Sequence, residues 1–415
     1  MKKAMRPWCS NPFCANPDMN NLPQLIRQIH TQHGTKPFFL YDLDAFSNHL
    51  KKFRMEGLRF WYATKANPLS HILSAAHEAG FGIDCASAGE FRQAIRAGVP
   101  SDEILLTGPA KSKALLSEAV DAGLRTFVLE SHQQVQDLEA VALTKQIKVQ
   151  GLLRLQIIWP EGEQSVLGGS EISPFGLDAD AWSVLDVKNL QAVEIKGVHC
   201  FQWGNVMDAA RLGKIWFQTA REAKALASKL GFELQVLDLG GGLGIPYDGG
   251  SELAYDRVKS ELKRLKREIA TTEIWMELGR YAIGPYGKYV TQIIDRKKVL
   301  ANSMLVLEGG VHHLVRPALV GEAFPATPIV SQTRVKTEEF DLHGPLCTSL
   351  DYLGSVTFPD EIKPGDSVVF HQCGAYGFTE SMPYFLCHDL PAEFVVAQGE
   401  LKMVRAWQKP EVWLV

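Results

Sequence analysis

From Arg59 onward the chain repeats one pattern: a short apolar run, a polar or glycine-containing turn, then apolar positions at helical spacing. The runs are Arg59–Ala63, Gly82–Cys85, Ile104–Thr107, Thr126–Glu130, Val149–Leu155, Ile195–Phe201, Val236–Leu239 and Ile274–Glu277. Each reads as a strand. The clearest helix between them is Asp208–Leu230, with Leu212, Ile215, Trp216, Ala220, Ala223, Leu226, Ala227 and Leu230 on one face and Gly231 as a stop signal. Eight strand–helix alternations predict a closed (β/α)8 TIM barrel, with a doubly wound open sheet as the rival arrangement.

After Tyr289 the helical spacing fades. Val290–Ile294, Met304–Leu307, Ser367–His371 and Phe394–Val396 read as strands separated by turns, which predicts a C-terminal β domain of sandwich or barrel type. Pro37–Tyr41 is a strand that precedes the barrel rhythm, so it is assigned to that same domain. The expected organisation is an N-terminal extension over 1–35, a barrel over 45–290, and a β domain made of 36–44 and 291–415. Within the extension, Leu22–His33 has the spacing of an amphipathic helix.

Composition narrows the function classes. The 415 residues are 46% hydrophobic and 22% charged, which excludes a disordered or collagen-like chain. Lys and Arg number 43 against 47 Asp and Glu, a net charge of −4, so nothing in the charge balance points to nucleic acid or a membrane surface. No apolar run is long enough to span a bilayer, and 1–20 lacks the apolar core of a signal peptide. The seven cysteines are scattered with no zinc-type pairing, so Cys9 and Cys14 read as incidental, no metal site is expected, and the protein is placed in the cytoplasm.

In a (β/α)8 barrel, chemistry is built at the C-terminal ends of the strands. Those ends carry Lys65, Asp84, Glu130, Arg154, His199 with Phe201, the run Gly240-Gly241-Gly242-Leu243-Gly244, and Glu277 followed by Gly279 and Arg280. A single charge at a strand end more often caps a helix or meets water, but so many converge on one mouth. The glycine run lacks the Lys-Ser/Thr of a nucleotide-triphosphate loop, and bare backbone N–H groups after a late barrel strand suit a phosphate monoester. A lysine, a phosphate cradle and a carboxylate on the last strand are the parts that a pyridoxal phosphate site needs: Schiff base, anchor and partner of the pyridinium nitrogen.

The motifs Tyr62-Ala63-Thr64-Lys65-Ala66-Asn67-Pro68, Asp84-Cys85-Ala86-Ser87-Ala88-Gly89-Glu90, Gly240-Gly241-Gly242, Glu277-Leu278-Gly279-Arg280-Tyr281, Gly344-Pro345-Leu346-Cys347 and Gly374-Ala375-Tyr376-Gly377 resemble the ordered series of fold-type III pyridoxal-phosphate-dependent decarboxylases, relatives of diaminopimelate and ornithine decarboxylase. The resemblance spans about residues 36–400. It implies a homodimer with active sites shared across the interface. It implies Lys65 as the cofactor-bearing lysine and Glu277 at the ring nitrogen. Asp84, Arg154 and His199 would stand around the cofactor. Gly241, Gly242, Gly279, Arg280 and the Tyr376 hydroxyl would stand at its phosphate. Cys347 would donate a proton in the partner's site, and Arg316 would sit at a substrate carboxylate.

The departures carry information about the substrate. Phe201 stands where the family stacks a histidine on the cofactor ring, and Gly204 where it has a phosphate-binding serine. Thr348 follows Cys347 where diaminopimelate and ornithine decarboxylases place Glu or Asp for a distal ammonium. With Arg316 and His313 nearby, that change implies a small-molecule substrate whose distal end is acylated and anionic. The pattern is similar to a branch acting on conjugated amino acids, such as citryl–amino acid intermediates in siderophore biosynthesis or a glutamyl group on a carrier protein. The alternatives are meso-diaminopimelate decarboxylation and a catalytically dead regulator. A racemase on this barrel would place arginine at the ring nitrogen, so Glu277 opposes it.

Overall fold

The computed structural model describes residues 21–159, 169, 171–330 and 336–414; Cys9, Cys14 and the segment 1–20 lie outside the described residues. The chain divides into two compact units. One holds Ser47–Ile245 and Glu252–Ala282; the other holds Met1–Phe46, Pro246–Ser251 and Ile283–Val415. The chain thus enters the second unit at 283 rather than 291, and it also contributes the short excursion Pro246–Ser251 there.

After the early strand β1 (Phe38–Asp42), the first unit forms β2 (Leu58–Ala63), β3 (Gly82–Cys85), β4 (Ile104–Leu106), β5 (Thr126–Leu129), β6 (Val149–Arg154), β7 (Val193–His199), β8 (Val236–Asp238) and β9 (Glu273–Leu278). These eight close into a barrel in sequence order, and β9 pairs in parallel with β2 from Leu58↔Ile274 to Tyr62↔Leu278. Strands in such a barrel are buried on both faces, so they show as continuous apolar runs rather than alternating ones. The interior is filled by Trp61, Leu105, Val128, Leu152, Val236 and Trp275, with the two indoles 5.0 Å apart. The helix Ala209–Leu230 starts where the Asp208 carboxylate accepts the Ala210 N–H (2.9 Å) and stops at Gly231, φ 72°. β7 ends at His199, so Phe201 lies just past the strand rather than on it.

The second unit is a nine-stranded mixed sheet. It is built from β1 and β10 (Gly287–Val299), β11 (Asn302–Leu307), β12 (Ala326–Ile329), β13 (Thr337–His343), β14 (Tyr352–Pro359), β15 (Ser367–Phe370), β16 (Ala392–Ala397) and β17 (Glu400–Arg405). β1 runs antiparallel to β10 and parallel to β16, so the N-terminal strand does belong to the C-terminal sheet. The helix Leu22–His33 is part of this unit's core: Ile26 and Ile29 pack with Phe38, Leu40, Val290, Val369 and Phe394. Residues 22–33 are therefore structural elements of the β unit, not a separate extension. Among the described residues, no helix is long and apolar enough to cross a membrane.

Candidate active site

Lys65 lies on the short helical turn Thr64–Ala66 directly after β2, with its ammonium 5.5 Å from the centre of the Phe201 ring. Phe201 is held against the glycine run. Gly240 has φ +59°, and a Cβ there would stand 2.4 Å from the Phe201 Cβ; a Cβ on Gly241 would stand 2.2 Å from the Glu277 carbonyl oxygen. Only glycine fits either place. Among the described residues the N–H groups of Gly241 and Gly242 have no acceptor, so two bare donors follow β8.

Beside Glu130, which pairs with Arg154, the mouth contains three more buried carboxyls, Asp84, Asp238 and Glu277. Each lies at or near the end of its strand, and they do not titrate alike. Burial, and then the Glu277 charge, push Asp84 and Asp238 well above the ordinary carboxylate range. Burial also works against a charge on Glu277, but His199, Lys65 and Arg154 outweigh it and hold that carboxyl below its usual range. The surroundings thus favour the charged form at Glu277 and disfavour it at Asp84 and Asp238. His199 itself is lowered by burial. Its Nε2 is 3.3 Å from Glu277 Oε1, but the two are misaligned. That oxygen, both His199 nitrogens and Asp238 Oδ2 are buried without a hydrogen-bond partner. One donor atom from each of His199, Asp238 and Glu277 falls within 4.8 Å of the others, a spacing that a cation could also use.

Arg154, at the end of β6, is buried and ion-paired with Glu130 at 2.8 Å. The second Glu130 oxygen accepts the Gly176 N–H at 3.0 Å. Arg154 also donates to the Phe201 carbonyl at 3.4 Å, and so links β5, β6 and the segment after β7. Gly279 and Arg280 follow β9 and are half-buried.

Lys111, a residue to which sequence reasoning gave no role, is buried nearby and donates to the Gly108 carbonyl. Burial, opposed by Glu130 and Asp84 and reinforced by Arg154, lowers its pKa from 10.5 to about 7. Between those values the unfolded chain binds a proton that the folded chain does not, so stability rises with pH through this window. The unfolding free energy of the wild type, measured in urea from pH 7 to 9.5, is expected to climb relative to Lys111→Met by up to about 1.4 kcal/mol per pH unit. Parallel curves for the two proteins would refute the shift.

In the other unit, Cys347 is exposed, on the turn between β13 and β14. Asp351, which sequence reasoning missed, fixes that turn: its two oxygens accept the Val311 and Leu346 N–H groups, each at 2.7 Å. Thr348 is half-buried, and its hydroxyl accepts the Leu350 N–H at 3.2 Å. His313, expected to touch substrate, has both ring nitrogens engaged: Nδ1 with the Tyr289 hydroxyl (2.9 Å) and Nε2 with the Asp389 carbonyl (3.0 Å). In this arrangement it serves packing. Arg316 is not an open cation either, because Glu380 pairs with it at 3.0 Å. The half-buried Tyr376 has φ 54°, and the guanidinium lies 5.1 Å from its ring centre.

Residues 43–284 match the family model described as pyridoxal-dependent decarboxylase, pyridoxal binding domain. The chain belongs to that family. It is a pyridoxal-phosphate-dependent decarboxylase, a carboxy-lyase. The enzyme is 27% identical to an L-glutamyl-(BtrI acyl-carrier protein) decarboxylase of Niallia circulans, over 93% of this chain and 94% of that one. It is 28% identical to a diaminopimelate decarboxylase of Aquifex aeolicus (92% and 91% covered). It is 27% identical to a 2-((L-alanin-3-ylcarbamoyl)methyl)-2-hydroxybutanedioate decarboxylase of Staphylococcus aureus (91% and 98%). Its fold matches the crystal structure of diaminopimelate decarboxylase from Helicobacter pylori complexed with L-lysine, with TM-score 0.84 at 24% identity over 93% and 98% of the chains.

The residues present fit the cofactor of this family. Two unused glycine N–H groups suit a phosphate, an amine stands across a ring face from them, and a buried anion has an orphaned oxygen.

Proposed function

We propose that the enzyme removes the α-carboxylate of an amino acid whose distal end is conjugated through an acyl group. The observation that carries the site reading is one juxtaposition: the Lys65 amine 5.5 Å from the Phe201 ring centre, the bare Gly241 and Gly242 N–H groups beside that ring, and the buried, unpartnered oxygen of Glu277. When bound, pyridoxal phosphate supplies the electron sink for the bond that breaks as CO2 leaves. The Lys65 amine would hold the cofactor. Glu277 would keep a proton at the cofactor's ring nitrogen; His199, Lys65 and Arg154 favour its charge, and Asp84 would stand beside it as a neighbouring carboxyl. Phe201 covers the ring. Gly241, Gly242, Gly279 and Arg280 would stand at the cofactor's phosphate, and the resemblance implies the same for the Tyr376 hydroxyl. Cys347 returns a proton to the α-carbon, and two copies of the chain form a dimer in which it serves the partner's barrel. Arg316 and Thr348 face the distal group.

The substrate class is supported by Thr348. Thr348 offers no charge where a distal ammonium would need a carboxylate, and Glu380 is already committed to Arg316, so an ammonium there loses part of its hydration without full compensation, which disfavours lysine, ornithine and diaminopimelate. It is supported also by two relatives whose names specify acyl-linked substrates, one of them borne on a carrier protein. The test is CO2 release from meso-diaminopimelate, L-ornithine, L-lysine and a citryl-diaminopropionate conjugate, side by side. The conjugate is expected to exceed the free diamino acids in kcat/KM by about 100-fold or more. Efficient turnover of meso-diaminopimelate would make the enzyme a diaminopimelate decarboxylase with an altered pocket.

A further inference from the structure

Arg316 opens the short helix Arg316–Val320 and is only 7% exposed. Its Nη1 lies 3.0 Å from Glu380 Oε2 and 3.3 Å from Oε1. Its Nε is buried and has no hydrogen-bond partner. Glu380 keeps 34% of its side-chain surface, so its carboxylate still faces solvent on one side. The two backbones are fastened together: the Val315 N–H donates to Ser381 Oγ at 3.2 Å, and that hydroxyl donates to the Gly377 carbonyl at 2.8 Å.

We infer that Arg316 and Glu380 act as one amide-reading pair and select a substrate whose distal group is an uncharged amide. This rests on the reading above that Arg316 faces the distal end. The pair is neutral as a whole, so it does not attract a carboxylate as a bare arginine does, and an incoming carboxylate meets the like charge of Glu380. What remains is a buried N–H in need of an acceptor and a carboxylate oxygen able to accept. An amide offers the matching C=O and N–H together. A carboxylate satisfies only the arginine, and an ammonium satisfies only Glu380 and leaves Nε orphaned. The acylated end is therefore recognised at the linkage itself, and Glu380 is the specificity-determining residue.

The probes are three amino acids with different distal groups: Nδ-acetyl-L-ornithine (amide), L-2-aminopimelate (carboxylate) and L-lysine (ammonium). Kd is read from the change in cofactor absorbance on mixing with holoenzyme, and kcat wherever CO2 is released. The wild type is expected to bind the amide about tenfold or more tightly than either other probe. Glu380→Gln restores a net cation and is expected to tighten L-2-aminopimelate about tenfold while weakening the amide. Glu380→Asp keeps the acceptor and is expected to keep the wild-type order, which separates selection from mere support of the fold. A wild type that prefers the carboxylate, or a Glu380→Gln protein with unchanged relative affinities, overturns the inference. Arg316→Lys separates the two levels of failure. If it weakens binding while Glu380→Gln changes nothing, Arg316 faces substrate and the pair does not read amides. If it alters no affinity, the placement of Arg316 at the distal end is itself wrong.

Discussion

Lys65→Ala is expected to yield a folded protein that carries no covalently held cofactor after borohydride treatment and has lost more than about 10³-fold in kcat. The amine at 65 projects from a tight turn at the end of β2, within 5.5 Å of the Phe201 ring centre, and its charge helps to keep Glu277 ionised. Removing it takes away both the nucleophile and part of that field. The variant also faces a rival. Lys111 is a second amine near the same carboxyls, and burial lowers it to about 7, so a nucleophilic fraction exists at neutral pH. Its ammonium is committed to the Gly108 carbonyl, so Lys65 is expected to be the anchor. Mass analysis of the reduced protein decides between them. Cofactor mass on the Lys65→Ala chain would transfer the role to Lys111 and overturn the assignment. Loss in Lys65→Ala with retention in Lys111→Met is the expected pair of results.

The barrel was readable because its strands are buried on both sides, so β4 (Ile-Leu-Leu) and β5 (Thr-Phe-Val-Leu) show as near-continuous apolar runs. The sheet of the second unit was only half readable. β13, Thr-Glu-Glu-Phe-Asp-Leu-His, and β17, Glu-Leu-Lys-Met-Val-Arg, keep one or both faces in water, and their charges hide a strand from any search for apolar runs. β12 (Ala-Thr-Pro-Ile) and β14 (Tyr-Leu-Gly-Ser-Val-Thr-Phe-Pro) carry no charge and were missed because Thr, Pro, Gly and Ser interrupt their apolar positions. Lys65, Glu277 and the glycines were legible from their places at strand ends, because barrel geometry makes those ends converge. The hydrogen bonding of His313 and the Arg316–Glu380 pair were not. The latter joins residues 64 apart through a loop, and no periodicity records such a contact. Asp238 was likewise visible as a residue but not as a partner, because its state depends on how close Glu277 lies.

That dependence gives Glu277→Gln an outcome beyond a simple loss. A neutral amide cannot hold the ring nitrogen protonated, so the variant is expected to keep its cofactor, seen by its visible absorbance, and to lose roughly 100-fold or more in kcat at pH 7. The substitution also removes the second-largest influence, after burial, that raises the pKa values of Asp84 and Asp238. Without the Glu277 charge their pKa values fall, and a carboxylate becomes available in the same knot as pH rises. Asp238 is the better placed, since one of its donor atoms lies within 4.8 Å of those of Glu277 and His199. The residual rate of Glu277→Gln is therefore expected to climb with pH as Asp238 ionises. In Glu277→Gln/Asp238→Asn the profile should be flat over the same range. The wild type, whose anion is present well below neutral pH, should not show this climb. A Glu277→Gln enzyme with undiminished turnover would remove Glu277 from the ring nitrogen. One that is slow but equally flat with and without Asp238 would mean that burial alone, not the neighbouring charge, keeps Asp238 protonated.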